Sequence, residues 1–489
     1  MTPGPGSSTG TAVGDRISDD RGPLPADDLG GGIGEPLDLS TLDAAGPPRG
    51  SARRFWMLLV LIVLGGLALR VDYMRNVAPP VPALGDAHAY HVLGDNLAHG
   101  RGYIRPYDFE RLGGRIPTAE YPPVFPGLLA AAASMGLDSV DQQRLVMCLL
   151  GSATILLVGL AGRRLAGPTV GLLAAAIAAI HPMLFQADAA LMPETLAALA
   201  GAAVVLLALR ARGSLATGRW VALGAVIGVS ILARAEAVAL LPLLVVPLAW
   251  RLRGADLRRR VGLGGAAIAV AVVVVVPWTI RNALTFHAFV PVSNNVGSVA
   301  RGANCELAYG GQFKGLWVTS VGDANGLSSV DPQARCFAGF PIRRGVDEAA
   351  AAASLRTKGV RYALDHAGSV PGVMLARLGR TFGVYRYQQQ TAFESLEGRN
   401  VNWERRGTRL FQLLAVLAVG GAVVLMRRKR PVWPLAAMVV AVVVTTMATY
   451  GNQRFRASAE PAVILLAAVA VVATGERLSR RAARSDSTQ

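Results

Sequence analysis

The residues best suited to chemistry in this 489-residue sequence stand in four short clusters. The first is Gly85-Asp86-Ala87-His88-Ala89-Tyr90-His91. On a helix, Asp86 and Tyr90 share a face, and so do His88 and His91. A carboxylate there, close to lipid headgroups and flanked by apolar residues, is partly desolvated and a better proton acceptor. The plain alternative is a solvated aspartate that caps a helix. The two histidines raise a divalent-metal reading, but no third ligand is fixed. The second cluster is Thr118-Ala119-Glu120-Tyr121-Pro122-Pro123. The Pro-Pro turn pins Glu120, either as a second carboxylate beside Asp86 or as a rim residue of a juxtamembrane helix.

The third cluster is a set of arginines at the expected outer interface: Arg234, Arg281, Arg454 and Arg456. Outer arginines oppose the positive-inside bias and so need a reason. A bound anion is one, since the guanidinium fork matches phosphate oxygens. Snorkelling, or ion pairs of Arg234 with Glu236 and Arg456 with Glu460, is the other. The fourth cluster, His181 to Asp188 with Glu194 following, either lines a site or caps a hairpin, and capping is favoured.

The elements that must position these groups are apolar helices. Hydrophobic residues are 52% and charged residues only 17% of the chain, with a mean hydropathy of +0.40. The apolar residues fall in long charge-free blocks, which excludes soluble, fibrous and disulfide-rich classes and predicts an all-α polytopic membrane protein. The net charge of +17 reads as topology rather than nucleic-acid binding, because arginines cluster at block ends. Placing Arg53/Arg54, Arg163/Arg164, Arg210/Arg212, Arg251 to Arg260, Arg427 to Arg430 and Arg477 to Arg484 inside predicts about ten spanning helices with both termini cytoplasmic. This requires that 121–137 does not cross and that 220–250 forms a tight hairpin at Arg234-Ala235-Glu236.

The domain reading follows. Residues 1–50 carry eight acidic and three basic residues among Gly, Pro and Ser, and are expected to be a disordered cytoplasmic tail. A membrane module with its first outer loop (75–143) occupies 51–280, a larger extracytoplasmic loop domain 281–407, further membrane helices 408–475, and a cytoplasmic tail 476–489. Cys305 and Cys336 share that outer loop and can pair if it faces an oxidising compartment.

The order of these motifs resembles the GT-C superfamily of polyprenyl-phosphate-sugar-dependent glycosyltransferases, in the branch of protein O-mannosyltransferases and lipid A aminoarabinose transferases, and actinobacterial members in particular. The resemblance rests on Gly85-Asp86, Glu120-Tyr121-Pro122-Pro123, Pro277-Trp278-Thr279-Ile280-Arg281-Asn282 and Arg454-Phe455-Arg456-Ala457-Ser458-Ala459-Glu460-Pro461. It implies a plasma-membrane enzyme with an extracytoplasmic active site, moving a sugar with inversion from a polyprenyl phosphate to a glycan, lipid or protein hydroxyl. Asp86 stands where the catalytic acidic residue belongs, with Glu120 as the second candidate. Arg234, Arg281, Arg454 and Arg456 would bind the donor phosphate; Tyr90, His91, Asp188 and Glu194 would line the site. Where relatives carry two adjacent acids, Ala87 follows Asp86, so a divalent metal is left open. The competing readings are a polyprenyl-lipid flippase and a non-catalytic membrane scaffold.

Overall fold

The computed structural model describes residues 49–83, 85–318, 336–337 and 347–486, so nearly all of the expected tail over 1–50 lies outside it. Among the described residues the chain is helical, with one isolated bridge between Ile104 and Pro117 and no strand. Helix α1 (Arg49–Asn76) precedes three short helices, α2 (Asp86–Ala98), α3 (Pro106–Leu112) and α4 (Val124–Ser134). Then come α5 (Val140–Ala166), α6 (Pro168–Ile180), α7 (Pro182–Ala190), α8 (Glu194–Ala211), α9 (Thr217–Ala233), α10 (Val246–Trp250) and α11 (Leu257–Thr285). A connecting segment holds α12 (Val296–Ala303), α13 (Glu306–Tyr309), α14 (Glu348–Asp365), α15 (Val370–Thr381) and α16 (Tyr387–Ser395). The bundle is completed by α17 (Val401–Arg427), α18 (Trp433–Ala448) and α19 (Glu460–Asp486).

Six helices are long and apolar enough to cross a membrane, namely α1, α5, α8, α11, α17 and α19. The pair α6–α7, bent by 50°, makes a seventh if it is one broken span. The bend has a local cause: Pro182 cannot continue α6, and the His181 ring nitrogen caps α7 by accepting from the Met183 amide. Helix α9, the stretch Ala235–Trp250 and α18 fall short of the ~20 residues that cross a bilayer. A count of ten requires these three. Helix α4, with 11 residues, covers about 16 Å and packs on α2 instead.

Between α9 and α10 the backbone breaks at Arg234, which is extended (φ −150°), and continues through 3₁₀ and π turns. Arg259 then donates to the Leu215 carbonyl and Arg260 to the Trp250 carbonyl, so both arms end beside the start of α11 and the segment is a hairpin. Similar contacts gather the other arginine clusters at that same end. Arg163 lies over Phe55, Arg164 donates to Leu209, Arg219 to Arg210, and Arg428 pairs with Glu476.

Helices approach closely where side chains are absent. A Cβ on Gly421 of α17 would stand 1.8 Å from the Leu466 carbonyl oxygen of α19, and one on Gly224 of α9 2.1 Å from that of Ala267 in α11. This is the small-residue packing of helices in lipid, where no hydrophobic drive separates helix from solvent. Helix α8 is enclosed on most of its surface, whereas α1 and α11 stay largely exposed at the periphery.

The connecting segment is interlocked with the bundle rather than set apart, since residues 50–489 form one compact unit. Arg105 pairs with Glu348, Arg377 donates to the Met447 carbonyl, and the Gly451 amide donates to Gly315. Cys305 and Cys336 are joined by a disulfide closing 31 residues, while Cys148 is a buried free thiol. Cys336→Ser is expected to cost about 3–4 kcal/mol through restored chain entropy, read as a lowered melting temperature. Alkylation of the folded, unreduced protein should label no cysteine until it is unfolded.

Candidate active site

One cleft collects most of the chemistry. It measures about 720 Å³, within the usual range for ligand sites, and is polar at one end and apolar at the other. Asp86, Tyr90, Glu194, Arg234, Tyr450 and Arg454 line the polar end. The apolar end is walled by Leu241, Val272, Val276, Phe289 and Val296. Of these, Val272, Val276, Phe289 and Val296 keep much of their surface exposed, so the cleft is open along this wall.

Asp86 sits in the first turn of α2, behind Gly85 at φ 117°, a left-handed conformation that suits glycine. Its Oδ1 accepts from the Tyr121 hydroxyl at 3.1 Å, and its Oδ2 lies 3.9 Å from the Arg454 guanidinium. Burial beside Asp86 holds the Tyr121 phenol well above its usual range, so it stays a donor. The Asp86 side chain keeps 33% of its surface open, which leaves an acceptor lone pair facing the cleft.

Arg454 is placed by the turn after α18, where Asn452 caps the following 3₁₀ helix by accepting from the Arg454 amide. Four carboxylates surround its buried guanidinium: Glu397 at 3.3 Å, and Asp86, Glu194 and Glu394 each at 3.9 Å. Its Nε makes no hydrogen bond among the described residues. Glu194 reaches the site because Leu191, at φ 54°, takes a left-handed turn before Pro193 and starts α8 at the cleft. Glu194 also accepts from Arg234 at 2.7 Å, and Arg234 pairs with Glu236 at 2.5 Å over the Phe455 ring. Burial pushes Glu397 up, and it lies near enough to Asp86 for the two to repel. The Tyr450 phenol is pushed by burial up to about 12, so it too remains a donor.

Glu120 is not in the cleft wall. It is reached by water, yet the surrounding protein atoms and the charges of Glu348 and Asp86 push its carboxyl up to about 7. Because the native state then holds a proton that the unfolded chain releases near 4.5, Glu120 contributes stability that is present below about 4.5 and lost as pH rises through about 7. Glu120→Gln should therefore gain in melting temperature over the parent protein as pH rises across that window. A pH-independent difference would assign the carboxyl an ordinary ionisation.

The remaining expectations sort by place. Arg281 is not at the cleft: it donates to the Thr118 and Tyr103 carbonyls, at 2.7 and 3.1 Å, over Tyr103, Trp278 and Phe286. It props the Glu120 stretch instead of meeting an anion. Arg456 is likewise withdrawn into the bundle, 3.4 Å from Glu460 and 3.9 Å from the Phe411 ring centre. Asp188 is buried on Arg70 and Thr195, both at 2.8 Å, and His91 turns to Gln143 at 2.9 Å. Sequence reasoning missed Arg70, Glu394, Glu397, Arg399 and Tyr450. It also missed Glu348, which ties α14 to Thr118, Ala119, Asn294 and Arg105 and so fixes the segment carrying Glu120. Among the described residues no three carboxylate, imidazole or thiol groups converge as metal ligands. The carboxylates nearest Asp86 already face Arg454, so this donor set does not fit a cation and no step below runs through one.

A family model described as dolichyl-phosphate-mannose-protein mannosyltransferase matches residues 120–280, about a third of the chain. No curated protein sequence matches it. Among solved structures, the oligosaccharyltransferase AglB of Archaeoglobus fulgidus, in complex with an inhibitory peptide and a dolichol-phosphate, superposes with a TM-score of 0.51 at 13% identity. That match covers 90% of this chain and 52% of AglB, and the apo form gives 0.50 at 12%, with 89% and 52% covered. ArnT of Cupriavidus metallidurans bound to undecaprenyl phosphate superposes more loosely, at 0.37 and 21% identity over 86% of this chain and 78% of that one. The fold is thus that of the archaeal oligosaccharyltransferase on which it superposes, and the chain spans about half the length of that enzyme.

Proposed function

We propose that this protein transfers a sugar from a polyprenyl phosphate to an acceptor hydroxyl, with inversion, in the cleft where Asp86 meets Arg454. The observation that carries the reading is the two-ended cleft. A charged end beside an apolar groove open along one wall matches a molecule with a phosphate head and an isoprenoid tail. The family match and the AglB fold support the reaction class.

Without substrate, Arg454 faces Asp86 and three glutamates. The donor phosphate takes Asp86's place on the guanidinium and frees that carboxylate for the acceptor. As the bond between sugar C1 and phosphate oxygen breaks, the acceptor oxygen bonds C1 from the opposite face and its proton passes to Asp86. The carboxylate is too weak to ionise an alcohol in the ground state, but it accepts the proton once the hydroxyl acidifies in the transition state. The electron pair of the broken bond stays on the phosphate, where Arg454 and Tyr450 meet the charge as it develops. Protonation of Glu397, favoured by its burial, lowers the negative charge the phosphate must approach.

The short helices α9, Ala235–Trp250 and α18 complete ten crossings in this reading. The cleft then faces the cell exterior, in keeping with the disulfide of the connecting segment and with the arginine clusters at the other end. The acceptor is a hydroxyl of a glycan, lipid or protein. Incubating the purified protein with polyprenyl-phosphate sugars and an envelope extract should release free polyprenyl phosphate together with a glycosylated product. Sugar-lipid that moves between leaflets without cleavage would favour a flippase.

A further inference from the structure

At the end of the bundle away from Asp86, a second cleft of about 890 Å³ opens among three inter-helix connections. Arg212 comes from the α8–α9 turn, Arg251 and Arg253 from the α10–α11 connection, Arg260 from the first turn of α11, and Arg430 from the α17–α18 turn. Helix α11 runs from Arg260 here to Thr279 at the first cleft, about 28 Å at ~1.5 Å per residue. Arg260 and Thr279 are therefore apart by roughly the thickness of a hydrocarbon layer, while the near wall of the first cleft, at Ala271, is about 16 Å from Arg260.

Here five arginines line one recess, Arg212, Arg251, Arg253 and Arg430 exposed at its rim and Arg260 half-buried within it, and among the described residues none has a carboxylate within ion-pair distance. Arg251 lies over the Trp433 ring, and Arg260 is held by the Ala255 and Trp250 carbonyls. The side chains of Arg212, Arg253 and Arg430 make no hydrogen bond or ion pair among the described residues. Gathering five like charges is unfavourable unless an anion joins them. The rim supplies a second feature: Trp250 and Met426 are 64% and 59% exposed beside the arginines, an apolar edge of the kind that sits at a membrane interface.

We propose that this cleft binds the phosphate headgroup of an anionic phospholipid, with the guanidinium groups on the phosphate and the acyl chains over Trp250 and Met426. It is a site separate from the donor cleft and does not depend on the reaction proposed above. Basic pockets between membrane helices recognise lipid phosphate in this way, and guanidinium groups bind it in pairs.

The test compares the full chain with an Arg212→Gln/Arg253→Gln/Arg430→Gln variant, chosen because these side chains hold no other part of the fold. Both are purified in neutral detergent and titrated with phosphatidylglycerol, phosphatidylcholine and inorganic phosphate, with binding read by native mass spectrometry and melting temperature. Saturable binding of phosphatidylglycerol over phosphatidylcholine is expected, weakened on the order of a hundredfold in the variant with its unliganded melting temperature unchanged. Equal affinity in parent and variant would overturn the proposal. Inorganic phosphate binding as tightly as the lipid would overturn the headgroup assignment and leave a free-anion site.

Discussion

Asp86→Asn is expected to lower sugar transfer by about 10²–10⁴-fold, the usual contribution of a positioned general base. Asparagine keeps the size of the side chain and still accepts from the Tyr121 hydroxyl, so α2 and the cleft keep their shape. What disappears is the proton acceptor. The fall should appear in kcat with KM for the donor little changed, because Asp86 gives up Arg454 to the phosphate before the chemical step. Asp86 is a third exposed, so the variant should reach the membrane at the parent level. A donor affinity lost in step with turnover would instead make Asp86 part of the binding site.

Arg454→Ala should be the more damaging change to the protein as a whole. The guanidinium is enclosed with Glu194 and Glu394, which are themselves buried, and removal leaves Glu394 without its ion-pair partner while Glu194 keeps Arg234. Breaking a buried pair from one side typically costs about 3–5 kcal/mol, so the melting temperature should drop markedly and donor binding should be lost. Arg454→Lys separates the two effects. It restores the charge and most of the stability but presents a point charge where a fork is needed, so donor KM should remain raised while the melting temperature recovers. Full recovery of both would reduce Arg454 to a structural counterion.

Much of the fold was legible in the sequence because lipid imposes a strong rule: every spanning segment must satisfy its own backbone and be apolar outside. Block lengths and arginine positions therefore located the helices, and the break at Arg234 was visible as a charged interruption between two short apolar runs. The site was less legible. Asp86, Tyr90, Glu194, Arg234 and Arg454 do share one cleft, but each was chosen from local spacing, and local spacing cannot say where a side chain points. Arg281 and Arg456 passed the same filter, yet one is held by carbonyls over three aromatic rings and the other by Glu460 inside the bundle. The ion pairs of Arg234 with Glu236 and Arg456 with Glu460, held out as the plain alternative, both occur. In Arg234 that pairing coexists with a place in the cleft.

The residues that escaped notice share a physical reason. Glu394, near the end of α16, and Glu397 and Arg399, between α16 and α17, stand in an unremarkable polar stretch and become part of the site only when the connecting segment folds back over the bundle. Arg70 is the first charge after the apolar run from Phe55 to Leu69 in α1, a place where an ionisable residue is a signal in itself. Its partner Asp188 lies 118 positions away, and a one-dimensional pattern carries no information about that distance.

The most direct measurement is a structure of the protein with a polyprenyl phosphate bound. The account predicts phosphate density within about 3 Å of the Arg454 guanidinium, the Asp86 carboxylate released from it, and the isoprenoid chain lying past Val272 and Val276. Phosphate density settled only among the arginines at the far end of α11, with the Asp86 cleft vacant at saturating lipid, would contradict it.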